Sequence, residues 1–239
     1  MKHILITGAN RGLGLELTRQ YLERGNTVFA ACRQPGAATD LHELQGQYAD
    51  TLQLVQLDVT NETSIAAARQ TVAGLTDHLD VLINNAGIFP GAGPEDPAKQ
   101  HLGGLTATNA LTFLNVNAVG PLLVAQAFLE LLKAANKARI ISLSSGQGSL
   151  TWKASAEPYH YSASKAALNM YMRALAAEVG IYGIITVLVD PGWVQTGMGG
   201  NTAALPPADS ARGIIRLTEQ LHAEENGSFV TWQGQPVPW

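Results

Sequence analysis

An apolar run, His3-Ile4-Leu5-Ile6, runs straight into Thr7-Gly8-Ala9-Asn10-Arg11-Gly12-Leu13-Gly14, and Leu13, Leu15, Leu17, Tyr21 and Leu22 then recur at helical spacing. Strand, glycine turn and helix in this order make a corner suited to phosphate. Glycines allow a tight turn and close backbone approach, and the unpaired N–H groups at the start of the helix favour an anion. The spacing is G-x-x-x-G-x-G, which differs from the general dinucleotide fingerprint. Alone it is compatible with any glycine-rich loop, so more distant residues must decide its use.

The rest of the chain repeats the theme. Buried-type strands are expected at Thr27 to Cys32, Leu52 to Leu57, Leu79 to Ile83, Arg139 to Leu143, Ile184 to Val189 and Phe229 to Thr231, with helical patterns between them. Alternating strands and helices predict an α/β fold, a doubly wound parallel sheet of about seven strands covered on both faces. The 239 residues suit a single domain, 1–239. A cofactor-binding half at about 1–120 and a catalytic and substrate half at about 121–239 are expected within it. One long helix is expected over 109–135, kinked near Gly120-Pro121. The Gly- and Pro-rich stretch 91–104 reads as a lid or a connection, and 197–207 as a substrate flap or a loop.

With 46% hydrophobic and 14% charged residues the chain is globular, and a net charge of −4 gives no reason to expect nucleic acid or an anionic membrane as partner. Asn, Lys and Gly interrupt the most apolar stretches, so no membrane span is expected. The single Cys32 cannot form an internal disulfide, which suits a cytoplasmic protein, and the six histidines lack zinc-site spacing, so no metal centre is expected.

About 20 residues beyond the glycines, where an acidic residue grips the ribose of NAD(H), the chain has Cys32-Arg33. With Arg11 inside the glycine turn, two guanidinium groups are placed to meet a 2′-phosphate, favouring NADP(H) over NAD(H). Both can equally be solvated loop cations. Asp58, at the end of the third strand, can accept a hydrogen bond from an adenine amine or merely start a helix. Small residues in Asn84-Asn85-Ala86-Gly87 let the backbone pass close to a ligand or a neighbouring turn, and the amides can brace strand ends.

The fifth strand delivers Ser144-Ser145 to its carboxyl end, where open α/β sheets hold ligands. Tyr161 and Lys165 then stand at i and i+4, on one helix face. An adjacent cation stabilises phenolate, so this phenol is expected to titrate below its usual 10 and to exchange a proton near neutral pH. Such pairs also occur on ordinary surfaces. Asn117, a poor helix former inside a helical pattern, either serves the site or satisfies a backbone group at the kink.

Taken in order, Thr7-Gly8 with Gly12 and Gly14, Asn84-Asn85-Ala86-Gly87, Asn117, Ser144-Ser145, Tyr161 with Lys165, and Pro191-Gly192 resemble the classical short-chain dehydrogenase/reductases. The ending Gly227-Ser228-Phe229 with Trp232, Gly234, Pro238 and Trp239 is similar to the C-factor and sniffer-type carbonyl reductase branch. The resemblance implies an NADPH-preferring reduction of a ketone or aldehyde, or else an NADP(H)-binding signalling protein with little turnover. It implies that Tyr161 is the general acid, that Lys165 lowers its pKa and holds the nicotinamide ribose, that Ser145, in preference to Ser149, bonds the substrate oxygen, and that Asn117 holds a relay water. It further implies cofactor contacts from Gly8, Asn10, Arg11, Gly12, Leu13, Gly14, Arg33, Asp58, Val59, Asn85, Ala86, Gly87, Pro191, Gly192, Val194 and Thr196, with Asn84 on the cofactor-facing strand end. By the same resemblance, the long helix and the Tyr161 helix pair with their copies in a homodimer or homotetramer. The substrate pocket is expected from 91–104, 146–160 and 197–207, with Trp152, Tyr159 and Trp193 hinting at apolar walls.

Overall fold

The strands alternate their side chains between two cores. In β1 (His3–Thr7), Ile4 and Ile6 point into one apolar cluster and Leu5 into the other; in β2 (Thr27–Cys32), Val28, Ala30 and Cys32 oppose Phe29 and Ala31 in the same way. A strand apolar on both faces is stable only between two layers of helix, and each fully buried Leu, Ile or Phe side chain contributes roughly 1.5–3 kcal/mol. The computed structural model describes residues 1–90, 101–200 and 202–239. It contains a seven-stranded parallel sheet in the order β3-β2-β1-β4-β5-β6-β7, adding β3 (Leu52–Gln56), β4 (Val81–Asn84), β5 (Arg139–Leu143), β6 (Ile185–Asp190) and β7 (Phe229–Thr231). The fold is the expected single-domain doubly wound α/β sheet, with β3 and β4 each shorter than expected.

On one face α1 (Gly12–Glu23) packs against α8 (Pro207–Gln220), with α2 (Thr39–Gln47) beyond. On the other lie α3 (Glu62–Ala73), α5 (Gly120–Ala127) and α7 (Tyr159–Val179). The long helix expected over 109–135 is divided. Helix α4 (Ala107–Leu114) leads into a π turn at Asn115–Val119, α5 follows, and the chain bends at Phe128 into α6 (Leu129–Ala134). The π turn sits immediately before Gly120-Pro121, and the proline ring offers no N–H to an α-helical ladder, so the expected kink takes the form of a widened turn. By length and composition the helical run Ala107–Ala127 is apolar enough to cross a membrane. In this fold it instead lies against α3 and α7 and carries Phe113 and Val124 into the interior.

The strand order reverses beside β1, between β1 and β4. The carboxyl ends of β1, β4, β5 and β6 therefore open onto one crevice, the topological switch point of the sheet. Of the 91–104 stretch, 91–100 lie outside the described residues. The loop 197–207, described except for 201, is closed at its base by a Val194–Leu205 bridge and by the Gln195 amide donating to the Ala203 carbonyl at 2.8 Å.

Candidate active site

The glycine turn is held shut from behind. The Thr7 hydroxyl accepts the N–H groups of Asn85 and Ala86 at 3.1 and 3.0 Å, and the Asn85 side-chain amide donates to the carbonyls of Thr7 and Gly8 at 2.7 and 3.0 Å. Asn85 and Ala86 thus brace the turn instead of facing a cofactor with these groups. Gly8 has φ +65°, and a Cβ on Gly14 would sit 2.4 Å from both the Asn85 amide nitrogen and the Gly8 carbonyl oxygen. No side chain larger than hydrogen fits there. We expect Gly14→Ala to spread the turn, cost about 1–3 kcal/mol of stability and weaken dinucleotide binding at least roughly tenfold, measured by thermal unfolding and fluorescence titration.

Helix α1 begins at Gly12 with Arg11 as its N-cap, and no side chain caps its first N–H groups. Four N–H groups at a helix start lack intrahelical partners, so this end remains a cradle for a phosphate. Leu13 is buried, so only its backbone serves that role. Arg11 and Arg33 are exposed and, among the described residues, neither forms an ion pair. Thr196 approaches Gly12, with its methyl 3.3 Å from the position of a Cβ there, so the loop after β6 meets the glycine turn. Asp58 accepts the N–H and hydroxyl of Thr60 at 2.9 and 2.7 Å through Oδ1, leaving Oδ2 for other donors. Val59 and Val194 are buried and can offer only backbone. Asn84 is also buried, and its amide donates to the Ser142 hydroxyl at 3.1 Å between β4 and β5.

Around the crevice, α7 brings Tyr161 and Lys165 inward, both only 7% exposed. The Lys165 ammonium donates to the Leu143 carbonyl at 2.8 Å and stands 5.7 Å from the Tyr161 ring centre. Gly87 lies between it and Asn117, a Cβ there falling 3.2 Å from Asn117 Oδ1 and 3.9 Å from Lys165 Nζ. Asn117, presented by the π turn, accepts the Ile88 N–H at 2.8 Å and donates to the Ile88 carbonyl and the Ser164 hydroxyl, both at 3.0 Å. It therefore locks the segment after β4 to α7; its amide serves a distant backbone, not the kink.

Ser145 caps the short turn Gly146–Gly148 by accepting the Gln147 N–H at 3.2 Å, and its hydroxyl lowers the phenol pKa by bonding to Tyr161. Ser149 is buried and accepts the Trp152 N–H at 3.1 Å, so Ser145 is the serine that reaches the site. The longer segment to Tyr161 loops outward, leaving Trp152 half exposed, and Lys153 ties it to Ser162 at 2.9 Å. Trp239 packs on this chain's own Phe229 and Arg173, and its carbonyl oxygen accepts the Thr151 N–H at 2.9 Å.

The expected lowering of the Tyr161 pKa is not what this environment produces. Burial dominates and pushes the phenol up to about 12, with the Ser145 hydrogen bond pulling down and the Asp190 carboxylate pushing up. Burial likewise brings Lys165 down to about 8. Both follow from desolvation of the charged form. The phenol therefore holds its proton at neutral pH, as a proton donor must.

A family model described as short chain dehydrogenase matches residues 2–205. The chain belongs to the short-chain dehydrogenase family. It is an oxidoreductase, and its relatives agree with that assignment. It is 41% identical over 167 residues to C-signal of Myxococcus xanthus, covering 69% of this chain and 95% of that protein. It is also 30% identical to the short-chain dehydrogenase srdF of Neurospora crassa, over 99% of this chain and 97% of that one. Among solved structures it superposes on an NADPH-bound carbonyl reductase from chicken fatty liver with a TM-score of 0.91, at 33% identity over 100% of this chain and 99% of that one. The carbonyl reductase Sniffer of D. melanogaster gives a TM-score of 0.92 at 32% identity, with both chains covered in full.

One residue of this dehydrogenase's site carried no signal in sequence. Asp190, the last residue of β6, accepts the Gly146 N–H at 3.0 Å with one oxygen and the Gly192 N–H at 2.9 Å with the other. It ties the Ser145 turn to the Pro191-Gly192 turn. An Asp before Pro-Gly reads as ordinary turn chemistry, and its partner at Gly146 is 44 residues away. The Asp190 charge raises both Tyr161 and Lys165. We expect Asp190→Asn to cost about 1–3 kcal/mol, because its amide nitrogen opposes one of the two N–H donors. The alkaline limb of the pH–rate profile is expected to move to lower pH, since the removed negative charge disfavoured phenolate.

Proposed function

We propose that this dehydrogenase reduces the carbonyl of a small ketone or aldehyde to an alcohol, with NADPH preferred over NADH. The observation that carries the reading is the buried Tyr161 and Lys165 with half-buried Ser145 beside them at the carboxyl ends of the strands, facing the same crevice as the uncapped start of α1. The residues present fit a dinucleotide. The glycine turn and the α1 N–H groups hold its pyrophosphate, Arg11 and Arg33 pair with a 2′-phosphate, Asp58 Oδ2 accepts from the adenine amine, and Thr196 and the Pro191-Gly192 turn border the nicotinamide end. When bound, the reduced nicotinamide supplies a hydride to the carbonyl carbon.

The protein supplies position and a proton. Ser145 donates a hydrogen bond to the substrate oxygen and fixes it beside Tyr161. The Tyr161 hydroxyl gives its proton to that oxygen as negative charge develops, and the Lys165 ammonium, held by the Leu143 carbonyl, stabilises the phenolate left behind. Asn117 keeps α7 and the Gly87–Ile88 backbone in register, so Lys165 is not free to swing away. Exposed Trp152 and Trp193, with Phe89 edge-on to Tyr161 at 4.8 Å, give the mouth an aromatic character that suits an apolar substrate.

A carbonyl panel with NADPH tests the reading, with at least one compound expected to be reduced well above background. The C-signal relative motivates a second reading, a dinucleotide-binding signal protein with little turnover. A buried phenol and ammonium assembled with a serine favour catalysis, because sensing alone requires no proton donor. Exposed Leu111 on α4 and Met170 and Tyr171 on α7 support pairing of these helices in a homodimer or homotetramer. Light scattering is expected to give at least twice the monomer mass. The lone, buried Cys32 fits a cytoplasmic location.

A further inference from the structure

The histidines are scattered in sequence, yet the fold gathers two of them at the amino ends of β1 and β4, the opposite end of the strands from the cofactor crevice. One ligand atom each from His3, His78 and Asp80 lies within 4.8 Å of the other two. The imidazole rings of His3 and His78 stand 4.6 Å apart, and His78 Nε2 is 3.5 Å from Asp80 Oδ2. Asp80 is fixed in place, since Oδ2 accepts the His3 N–H at 2.7 Å and its own N–H donates to the His3 carbonyl at 3.0 Å.

What distinguishes this cluster from a chance ion pair is the group behind each ring. His78 Nδ1 lies 2.6 Å from Asp77 Oδ1, which can only accept, so Nδ1 carries a hydrogen and Nε2, 3.5 Å from Asp80 Oδ2, is the ring nitrogen turned into the cluster. His3 Nδ1 lies 2.8 Å from the Thr76 hydroxyl, whose one hydrogen is directed to the His78 carbonyl at 3.0 Å. With that hydrogen on the His78 carbonyl, Thr76 can accept from His3 Nδ1, the tautomer in which His3 Nε2 is the nitrogen that binds an ion. An oriented imidazole with a carboxylate or hydroxyl behind it is how metal-binding histidines are prepared.

We propose that His3, His78 and Asp80 form a binding site for a divalent cation of the zinc class, with water completing the coordination. Two imidazoles and one carboxylate suit Zn²⁺, Co²⁺ or Ni²⁺ far better than Ca²⁺ or Mg²⁺. A tetrahedral ion with ligand bonds near 2.1 Å separates its ligand atoms by roughly 3.4 Å, so the side chains close by about an ångström on binding. The ion clamps the start of β1 to the turn entering β4 and leaves the crevice at the other end of these strands unchanged. Its role is structural, and binding to the folded state alone raises the unfolding temperature.

The test titrates the full-length, metal-free protein with Zn²⁺ against a chromophoric chelator, and with Co²⁺ by visible absorption. One equivalent is expected to bind, with a rise in thermal midpoint. His78→Gln and His3→Gln are each expected to weaken that equivalent more than tenfold and to abolish the Co²⁺ band, with NADPH binding unchanged. Asp77→Asn, at an exposed position where folding is not at risk, is expected to weaken it roughly tenfold by freeing the His78 tautomer. Absence of zinc uptake by the wild type, or wild-type zinc affinity in both histidine variants, overturns the proposal.

Discussion

Tyr161→Phe is expected to bind NADPH as the wild type does and to lose about 10²–10⁴ of its turnover, the usual worth of a positioned proton donor. The substitution leaves the ring, its edge contact with Phe89 and the α7 backbone intact, so what is lost is one hydroxyl and its bond to Ser145. Stability is expected to change by only about 1 kcal/mol. The measurements are steady-state turnover on the best carbonyl and cofactor fluorescence titration. The pH dependence follows from the same burial. A phenol near 12 stays protonated throughout the neutral range, so carbonyl reduction has its donor there. Alcohol oxidation needs the phenolate, so its rate is expected to climb as pH rises. Lys165, at about 8, gives up its charge in the course of that rise and with it part of the stabilisation of phenolate. The oxidation profile is therefore expected to climb less steeply above pH 8 than a single phenol would give.

The double variant Arg11→Ala with Arg33→Ala is expected to weaken NADPH binding by roughly 10²–10³ and NADH binding by less than about threefold. A charge-assisted hydrogen bond is worth about 1.5–3 kcal/mol, and exposure places these two at the low end. Because neither guanidinium has an ion-pair partner among the described residues, removing them strands no carboxylate there and the fold is expected to keep its stability. Equal losses for both cofactors in paired titrations contradict the 2′-phosphate assignment.

The sheet was legible because parallel strands buried on both faces leave near-continuous apolar runs, and the turns between them carry Gly, Pro and Asn. Tyr161 and Lys165 were legible because helical geometry brings i and i+4 together. Other features arise from contacts between residues far apart in the chain, which local patterns do not encode. Asn85 points back to Thr7, Asp190 reaches Gly146, and Asn117 grips Ile88. For Asn85 and Ala86 the sequence left a ligand and a neighbouring turn both open, and their N–H groups and the Asn85 amide are spent on the glycine turn. The π turn at Asn115–Val119 escaped for a different reason, since one extra residue in a helix leaves the apolar pattern almost unchanged. Tyr161 misled because a neighbouring cation is visible in the chain, while the burial that raises its pKa is a property of the whole fold.

The most direct measurement follows a deuterium label. NADPH deuterated at the transferred position is incubated with the best carbonyl of the panel, and the product is analysed by mass spectrometry and NMR. The account predicts one deuterium on the carbinol carbon, a solvent-derived proton on the oxygen, and loss of labelled product in Tyr161→Phe. Labelled product formed by Tyr161→Phe at the wild-type rate, or no label at the carbinol carbon, contradicts it.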